Sequence, residues 1–310
     1  MIKDLNFFKN KKVLITGHTG FKGSWLSFIM IQSGAKVMGI SDKIQNKELF
    51  SQLNVKKKIY KHEIVNITDF KKLSQKIKNF EPEIVFHLAA QAIVSDSYIN
   101  PLNTFNTNIM GSINLLQSCL KVKSIKSIIY VTSDKCYENN GWVWGYKETD
   151  SLGGVDPYSA SKASAEIIFS SFLRSYIENN NKLGAASVRA GNVIGGGDWS
   201  KDRLVPDIIR SLKKSSPIVI RNPNSTRPWQ HVLEPLSGYI LLAKKLYREP
   251  KKYSGSWNFG PNNNDNMNVQ EITKEFIKSF GKGKMIIKKN KNFGHEASLL
   301  QLNCDKANRI

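Results

Sequence analysis

The chain has 310 residues, room for about two domains of roughly 150 residues each or one large α/β unit, and its 40% hydrophobic content suffices for a packed core. A short peptide, a fibre and a disordered tail are excluded. With 46 Lys and Arg against 25 Asp and Glu, the net charge is +21, which raises nucleic acid or an anionic membrane as partners.

Only eight of those cations are Arg, and the lysines lie scattered in small knots such as Lys11-Lys12, Lys56 to Lys58 and Lys288-Lys289. That dispersal, in a chain rich in Asn and Ile, reads as compositional bias, so neither nucleic acid nor membrane is expected as a partner. The cysteines Cys119, Cys136 and Cys304 are odd in number and widely spaced, which suggests neither a disulfide framework nor a zinc site. His18, His62 and His87 make no metal-ligand spacing either, so no metal is expected. No apolar run approaches the roughly 18 residues of a membrane span, and the polar start MIKDLNFFKNKK passes into VLITG without a signal-peptide core. A soluble protein of the reducing cytoplasm is expected.

From residue 12 to about 190, short β-branched runs alternate with segments of helical period, the pattern of βαβ units on a parallel sheet. Strands are predicted over 12–16, 36–40, 59–65, 83–88, 127–132 and 185–189, and helices over 22–33, 69–79, 104–120 and 157–177. The fold class is therefore α/β, a Rossmann-type doubly wound parallel sheet over residues 1–190. After residue 189 the chain turns to Gly/Asn/Pro-rich loops (GNVIGGGDW, RNPNSTRPW, NFGPNNNDN), so residues 191–310 are expected to form a smaller, loop-rich substrate lobe. There is no internal repeat and no low-complexity linker between the two, which predicts packed lobes with a cleft between them.

The first strand ends in GHTGFKG, with Gly17, Gly20 and Gly23 in G-x-x-G-x-x-G spacing just before a helix. In that context the glycines allow a tight turn, a close approach to a pyrophosphate, and helix-to-strand packing, with the helix N-terminus facing the phosphate charge. The second strand ends in Ser41-Asp42-Lys43. Asp42 could accept hydrogen bonds from an adenosine ribose and favour NAD, whereas Lys43 could equally attract a 2′-phosphate or both could be solvated loop charges.

In DPYSASK, Asp156 suits an N-cap and Pro157 the first helical position, which puts Tyr158 and Lys162 on one helical face. A tyrosine of reference pKa near 10 is a poor base, but an adjacent ammonium favours its phenolate. Ser133 is predicted at the carboxyl end of a parallel strand, where open α/β sheets place their ligands, within reach of the same substrate hydroxyl.

These segments, GHTGFKGSWL, HLAAQ, TNIMG, VTSDKCYEN, DPYSASK, RAGNVIGGGDW and TRPWQHV, resemble the nucleotide-sugar branch of the extended short-chain dehydrogenase/reductase family, and within it the CDP-glucose 4,6-dehydratases. The wider 4,6-dehydratases carry Asp then Glu after the serine position, and the CDP-glucose branch carries Asp then Lys, as in Asp134-Lys135 here. The resemblance implies NAD as cofactor and a cycle of C4 oxidation, loss of water across C5 and C6, and hydride return to C6. It gives Ser133, Tyr158 and Lys162 to the oxidation, Asp134 to protonation of the departing 6-hydroxyl, and Lys135 to the C5 side. As a base, Lys135 would need its pKa of about 10.4 to fall by roughly 3 units; charged, it would stabilise the developing enolate.

The resemblance further implies cofactor contacts at Gly17, Thr19, Gly20, Phe21, Lys22, Gly23, Asp42, Asn66, Ile67, Ala89, Ala90 and Asn108, and a nucleotide-sugar grip from Gln91, Asn192, Arg203, Arg227 and His295. Arg227 could clamp a diphosphate bidentately; for His295 a plain surface role stands beside nucleotide contact. Three features depart from the pattern: Asn66 replaces a usual Asp, Ser95 a common Arg, and the chain stops at NCDKANRI, where the family continues into a helical segment and Asp305 would cap it. A homodimer, or a dimer of dimers, is implied through the helices at 104–120 and 157–177. The competing readings are a nucleotide-sugar 4-epimerase, a dehydratase of another NDP-hexose, and a non-catalytic dinucleotide- or nucleic-acid-binding Rossmann protein.

Overall fold

The structure is a computed structural model that describes residues 5–44, 47–261, 267–288 and 299–310. Seven strands form its central sheet: β1 (Lys12–Thr16), β2 (Lys36–Ser41), β3 (Lys61–Ile64), β4 (Ile84–His87), β5 (Ser127–Val131), β6 (Gly184–Ala190) and β7 (Gly255–Phe259). Their spatial order is β7-β6-β5-β4-β1-β2-β3, and every neighbouring pair is parallel. The order reverses direction between β1 and β4, and such a switch point opens a crevice at the strands' carboxyl ends.

Both faces of this sheet are covered, which is why its strands read as near-continuous apolar runs. Side chains alternate along β1: Val13 and Ile15 enter one core and Leu14 the other. The first core is closed by Leu26 and Met30 of α1 (Phe21–Gln32), together with Leu236, Tyr239 and Ile240 from a helix at Leu233–Arg248. On the opposite face, Leu73 and Ile77 of α2 (Phe70–Phe80), Leu115 and Leu116 of α3 (Gly111–Leu120), and Phe169 of α4 (Pro157–Phe172) pack over Leu14, Val85 and Ile128.

All six strands expected from the sequence are present, β1 at its expected bounds and the others with ends within two residues of them, as at β3, which begins at Lys61 after a helical turn at Val55–Lys58. Each of the two long helices contains a π-helical stretch, Asn106–Met110 before α3 and Leu173–Ile177 after α4. The seventh strand was not expected. Its five residues, GSWNF, lie beyond residue 190, start from Gly255 at φ +122°, and pair with β6 from Ala186 to Ala190, so the later part of the chain returns to the sheet.

The remaining later residues build a smaller core of Ile208, Leu212, Ile218 and Ile220. A C-terminal stretch brings Leu300, Leu302 and Cys304 against Cys136, Tyr137 and Tyr146, and a short helix follows at Asp305–Asn308. No helix among the described residues is long and apolar enough to cross a membrane.

Candidate active site

The GHTGFKG turn lies at the carboxyl end of β1. Gly17 has φ +71°, and a Cβ there would meet the Ala89 backbone nitrogen at 2.7 Å, so glycine alone lets β1 and the β4 loop approach this closely. A Cβ at Gly23 would fall 2.0 Å from the Gly17 carbonyl oxygen, and its absence seats α1 on the turn. Gly20 is the N-cap of α1 and offers no side-chain cap, which leaves the first-turn amides pointing toward the crevice with the positive end of the helix dipole. This cradle fits a dinucleotide diphosphate.

Phe21 is buried in the first core, and Thr19 is fully buried with its hydroxyl donating to the Lys43 carbonyl at 2.7 Å. Asp42 is exposed at the end of β2 and accepts the Lys43 amide at 2.9 Å. His18, between Gly17 and Thr19, meets Ser41 Oγ at 2.9 Å and His62 Nδ1 at 2.7 Å. Burial, reinforced by the neighbouring His62, lowers the His18 pKa to about 4. Among the described residues no group of three or more His, Cys, Asp or Glu is gathered for a metal.

Asn66 is exposed and accepts the Thr68 amide at 3.0 Å, while the Ile67 side chain is buried in the second core. Ala89 donates its amide to Thr16 Oγ1 at 3.2 Å, and Thr16 is in turn 2.7 Å from His87 Nδ1; Ala90 follows in the same loop. Asn108, in the π-helical stretch, is saturated: Oδ1 accepts the Gln91 amide at 2.8 Å, and Nδ2 donates to the Gln91 carbonyl at 3.0 Å and Ser161 Oγ at 2.8 Å. It fastens the β4 loop to α4. Gln91 donates its own side-chain amide to the Ile93 carbonyl and keeps a buried Oε1 without a partner among the described residues.

The five expected catalytic residues converge at the carboxyl end of β5. Asp156 caps α4 by accepting the Ser159 amide at 2.9 Å, with Pro157 in the first turn. Tyr158 and Lys162 then lie on one face, the Lys162 ammonium 5.9 Å from the Tyr158 ring centre. Ser133 caps the turn Asp134–Cys136, and its hydroxyl hydrogen-bonds the Tyr158 phenol. Burial raises Tyr158 to about 12 despite that bond, and lowers Lys162 to about 8. Asp134 is 4% exposed and accepts the Ser133 hydroxyl at 2.9 Å through Oδ1, whereas Oδ2 is buried without a partner among the described residues. Burial pushes its carboxyl upward against the opposing charges of Lys135, Arg227 and Lys22. Lys135 is half-buried beside it.

Lys22 leaves the glycine turn toward the same centre. Burial, with repulsion from Arg203 and Lys162, lowers its pKa to about 8 against the attraction of Asp134. Arg203 is paired with Asp198 at 2.9 Å, and the buried Arg227 donates to the Thr226 carbonyl. The half-buried Asn192 accepts the Gln230 amide through its backbone carbonyl at 3.0 Å. His295 lies outside the described residues. Ser95 donates to Asp202 at 2.8 Å.

Sequence reading missed two residues that bear on this site, Glu166 and Arg189, which form a buried ion pair of 2.7 Å behind Tyr158 and Lys162. The available signal was a Glu one helical turn beyond Lys162 on the buried face of α4, and an Arg inside an otherwise apolar strand.

The model of the NAD dependent epimerase/dehydratase family matches residues 13–260. The chain is 49% identical to the CDP-glucose 4,6-dehydratase of Salmonella typhimurium over 310 residues, which covers 98% of this chain and 86% of that protein. Among solved structures, it superposes with a TM-score of 0.81 on the dTDP-glucose 4,6-dehydratase from Bacillus anthracis in complex with NAD, at 22% identity over 96% of this chain and 89% of that one. The UDP-glucose 4-epimerase from Thermotoga maritima gives a TM-score of 0.82 at 24% identity, over 96% and 91%. These two establish a shared fold. The family match and the Salmonella relative go further: the chain belongs to the NAD dependent epimerase/dehydratase family.

Proposed function

We propose that this protein is a hydro-lyase that converts CDP-D-glucose to CDP-4-keto-6-deoxy-D-glucose, with NAD as its recycled cofactor. The observation that carries this reading is Asp134: a buried carboxyl of raised pKa, one oxygen unpartnered among the described residues, beside Ser133, Lys135 and Tyr158. A 4-epimerase has no need of such a proton donor. The 49% identity to the Salmonella CDP-glucose enzyme supports the choice of substrate.

In this reading the glycine turn, with Asp42, Asn66, the 89–90 backbone and Lys162, would hold NAD, which when bound would supply a reversible hydride acceptor for the sugar. Tyr158 accepts the proton of the 4-hydroxyl, and the Lys162 ammonium and Ser133 hydroxyl stabilise its phenolate. The 4-ketone acidifies C5–H. Lys135 receives that proton as a neutral amine, or steadies the enolate as a cation, while Asp134 protonates the departing 6-hydroxyl so that it leaves as water. Gln91, Asn192, Arg203, Arg227 and His295 would grip the nucleotide sugar, the arginines on its diphosphate.

The buried, free thiols of Cys119, Cys136 and Cys304 suit the cytoplasm. Purified protein given CDP-glucose and catalytic NAD should develop the alkaline ultraviolet absorbance of a 4-keto-6-deoxy sugar without net NADH. dTDP-glucose and GDP-mannose, run in parallel, should give little. Equal turnover of all three would refute the assignment of CDP-glucose, and no turnover in folded, NAD-bound protein would refute the dehydratase reading.

A further inference from the structure

We propose that the buried Glu166–Arg189 ion pair is the positioning element of the reaction centre, holding the 133–135 segment from both ends. Upstream, Glu166 Oε1 accepts the hydroxyl of Thr132, the residue before Ser133. Downstream, Arg189 Nη1 donates to the Tyr137 hydroxyl at 2.7 Å, two residues after Lys135, and that hydroxyl donates onward to Asn258 Oδ1 of β7 at 2.8 Å. Between the two ends, Arg189 Nη2 meets Glu166 Oε2 at 2.7 Å, with the side chains 3% and 1% exposed. Ser187 also donates to Oε2 at 2.8 Å, so both carboxylate oxygens are occupied.

Burying two charges is costly, and an apolar pair of equal volume often holds a core as well. An apolar pair could not bind two hydroxyls on either side of a three-residue catalytic segment. Glu166 also lies one turn beyond Lys162 on α4, so the pair fixes the helix carrying Tyr158 and Lys162 against the strand end carrying Ser133. Glu166 and Arg189 are thus positioning residues, acting through Thr132 and Tyr137.

The test severs each end separately, with Thr132→Val and Tyr137→Phe, and keeps the upstream hydroxyl in Thr132→Ser. Hydrogen exchange of the 133–137 backbone is followed by mass spectrometry in the NAD-loaded protein, and kcat and KM are measured with CDP-glucose. Either severing variant should speed exchange of 133–137 and lower kcat by about tenfold or more, with little change in KM, because small misplacements of reacting groups are costly. Thr132→Ser should restore both. Unchanged exchange in both severed variants, or faster exchange with kcat intact, would overturn the proposal. Only the kinetic arm rests on the dehydratase reading: a parent protein inactive on CDP-glucose would sink that reading, and the exchange arm would still decide for or against the clamp.

Discussion

Asp134 and Lys162 show how burial sets the chemistry of single residues. Loss of water pushes the Asp134 carboxyl upward, toward the protonated form a general acid needs, and lowers the Lys162 ammonium to about 8. Asp134→Asn keeps the shape and removes the transferable proton, so dehydration should fall by about 10²–10⁴-fold while NAD affinity, measured by titration, stays within a small factor of the parent. An Asp134→Asn protein that still dehydrates its substrate would remove this residue from the mechanism. Tyr158 and Lys162 were legible in their helical spacing and Ser133 in its place at a strand end, while Asp134 and Lys135 were expected only through the family resemblance. The clamp behind them was not legible. Glu166 and Arg189 are far apart in the chain, and only the pairing of β5 with β6 and the packing of α4 across them bring the two charges together.

Among the elements, α4 and the helical stretch ahead of α3 carry most of what the sequence could not resolve. Their continuous helical period conceals two π-helical stretches, one of which turns Asn108 inward to bind Gln91 and Ser161. In and around them, the helices at Val94–Ile99 and Pro101–Phe105, the two π-helical stretches and α4 expose large apolar side chains: Ile99 and Leu102 at 79%, Met110, Ile167 and Tyr176. Exposed apolar groups of this size suit an interaction surface, and the dimer that the family resemblance implies would cover them in a two-fold arrangement. Sedimentation should give a dimer for the parent protein and a monomer for Ile167→Glu. A parent that sediments as a monomer at micromolar concentration would refute this.

For the whole molecule, strand alternation and the βαβ rhythm made the sheet readable from residue 12 to 190, because strands buried on both faces leave a strong apolar signal. The seventh strand left almost none, its GSWNF run being broken by Gly255, Ser256 and Asn258 and set among turn-forming segments. Two buried histidines give the fold a defined response to acid. His18 stays neutral down to about pH 4 and His87 to about pH 3, each mainly through burial, whereas an unfolded histidine titrates at 6.5. Below 6.5 the unfolded chain therefore binds more protons than the folded one, and stability falls with pH by about 1.4 kcal/mol per unit for each group until its folded pKa is reached. Chemical denaturation at pH 6.5 and near pH 5 should differ by about 3 kcal/mol from these two groups; a flat profile across that window would show that they are not held neutral.

The measurement that meets the central claim most directly follows the hydride itself, with CDP-glucose deuterated at C4 and unlabelled NAD. The account predicts a 4-keto-6-deoxy product carrying the deuterium at C6, with no net NADH. Deuterium returned to C4 of an unchanged or inverted hexose would contradict it and point to epimerase chemistry.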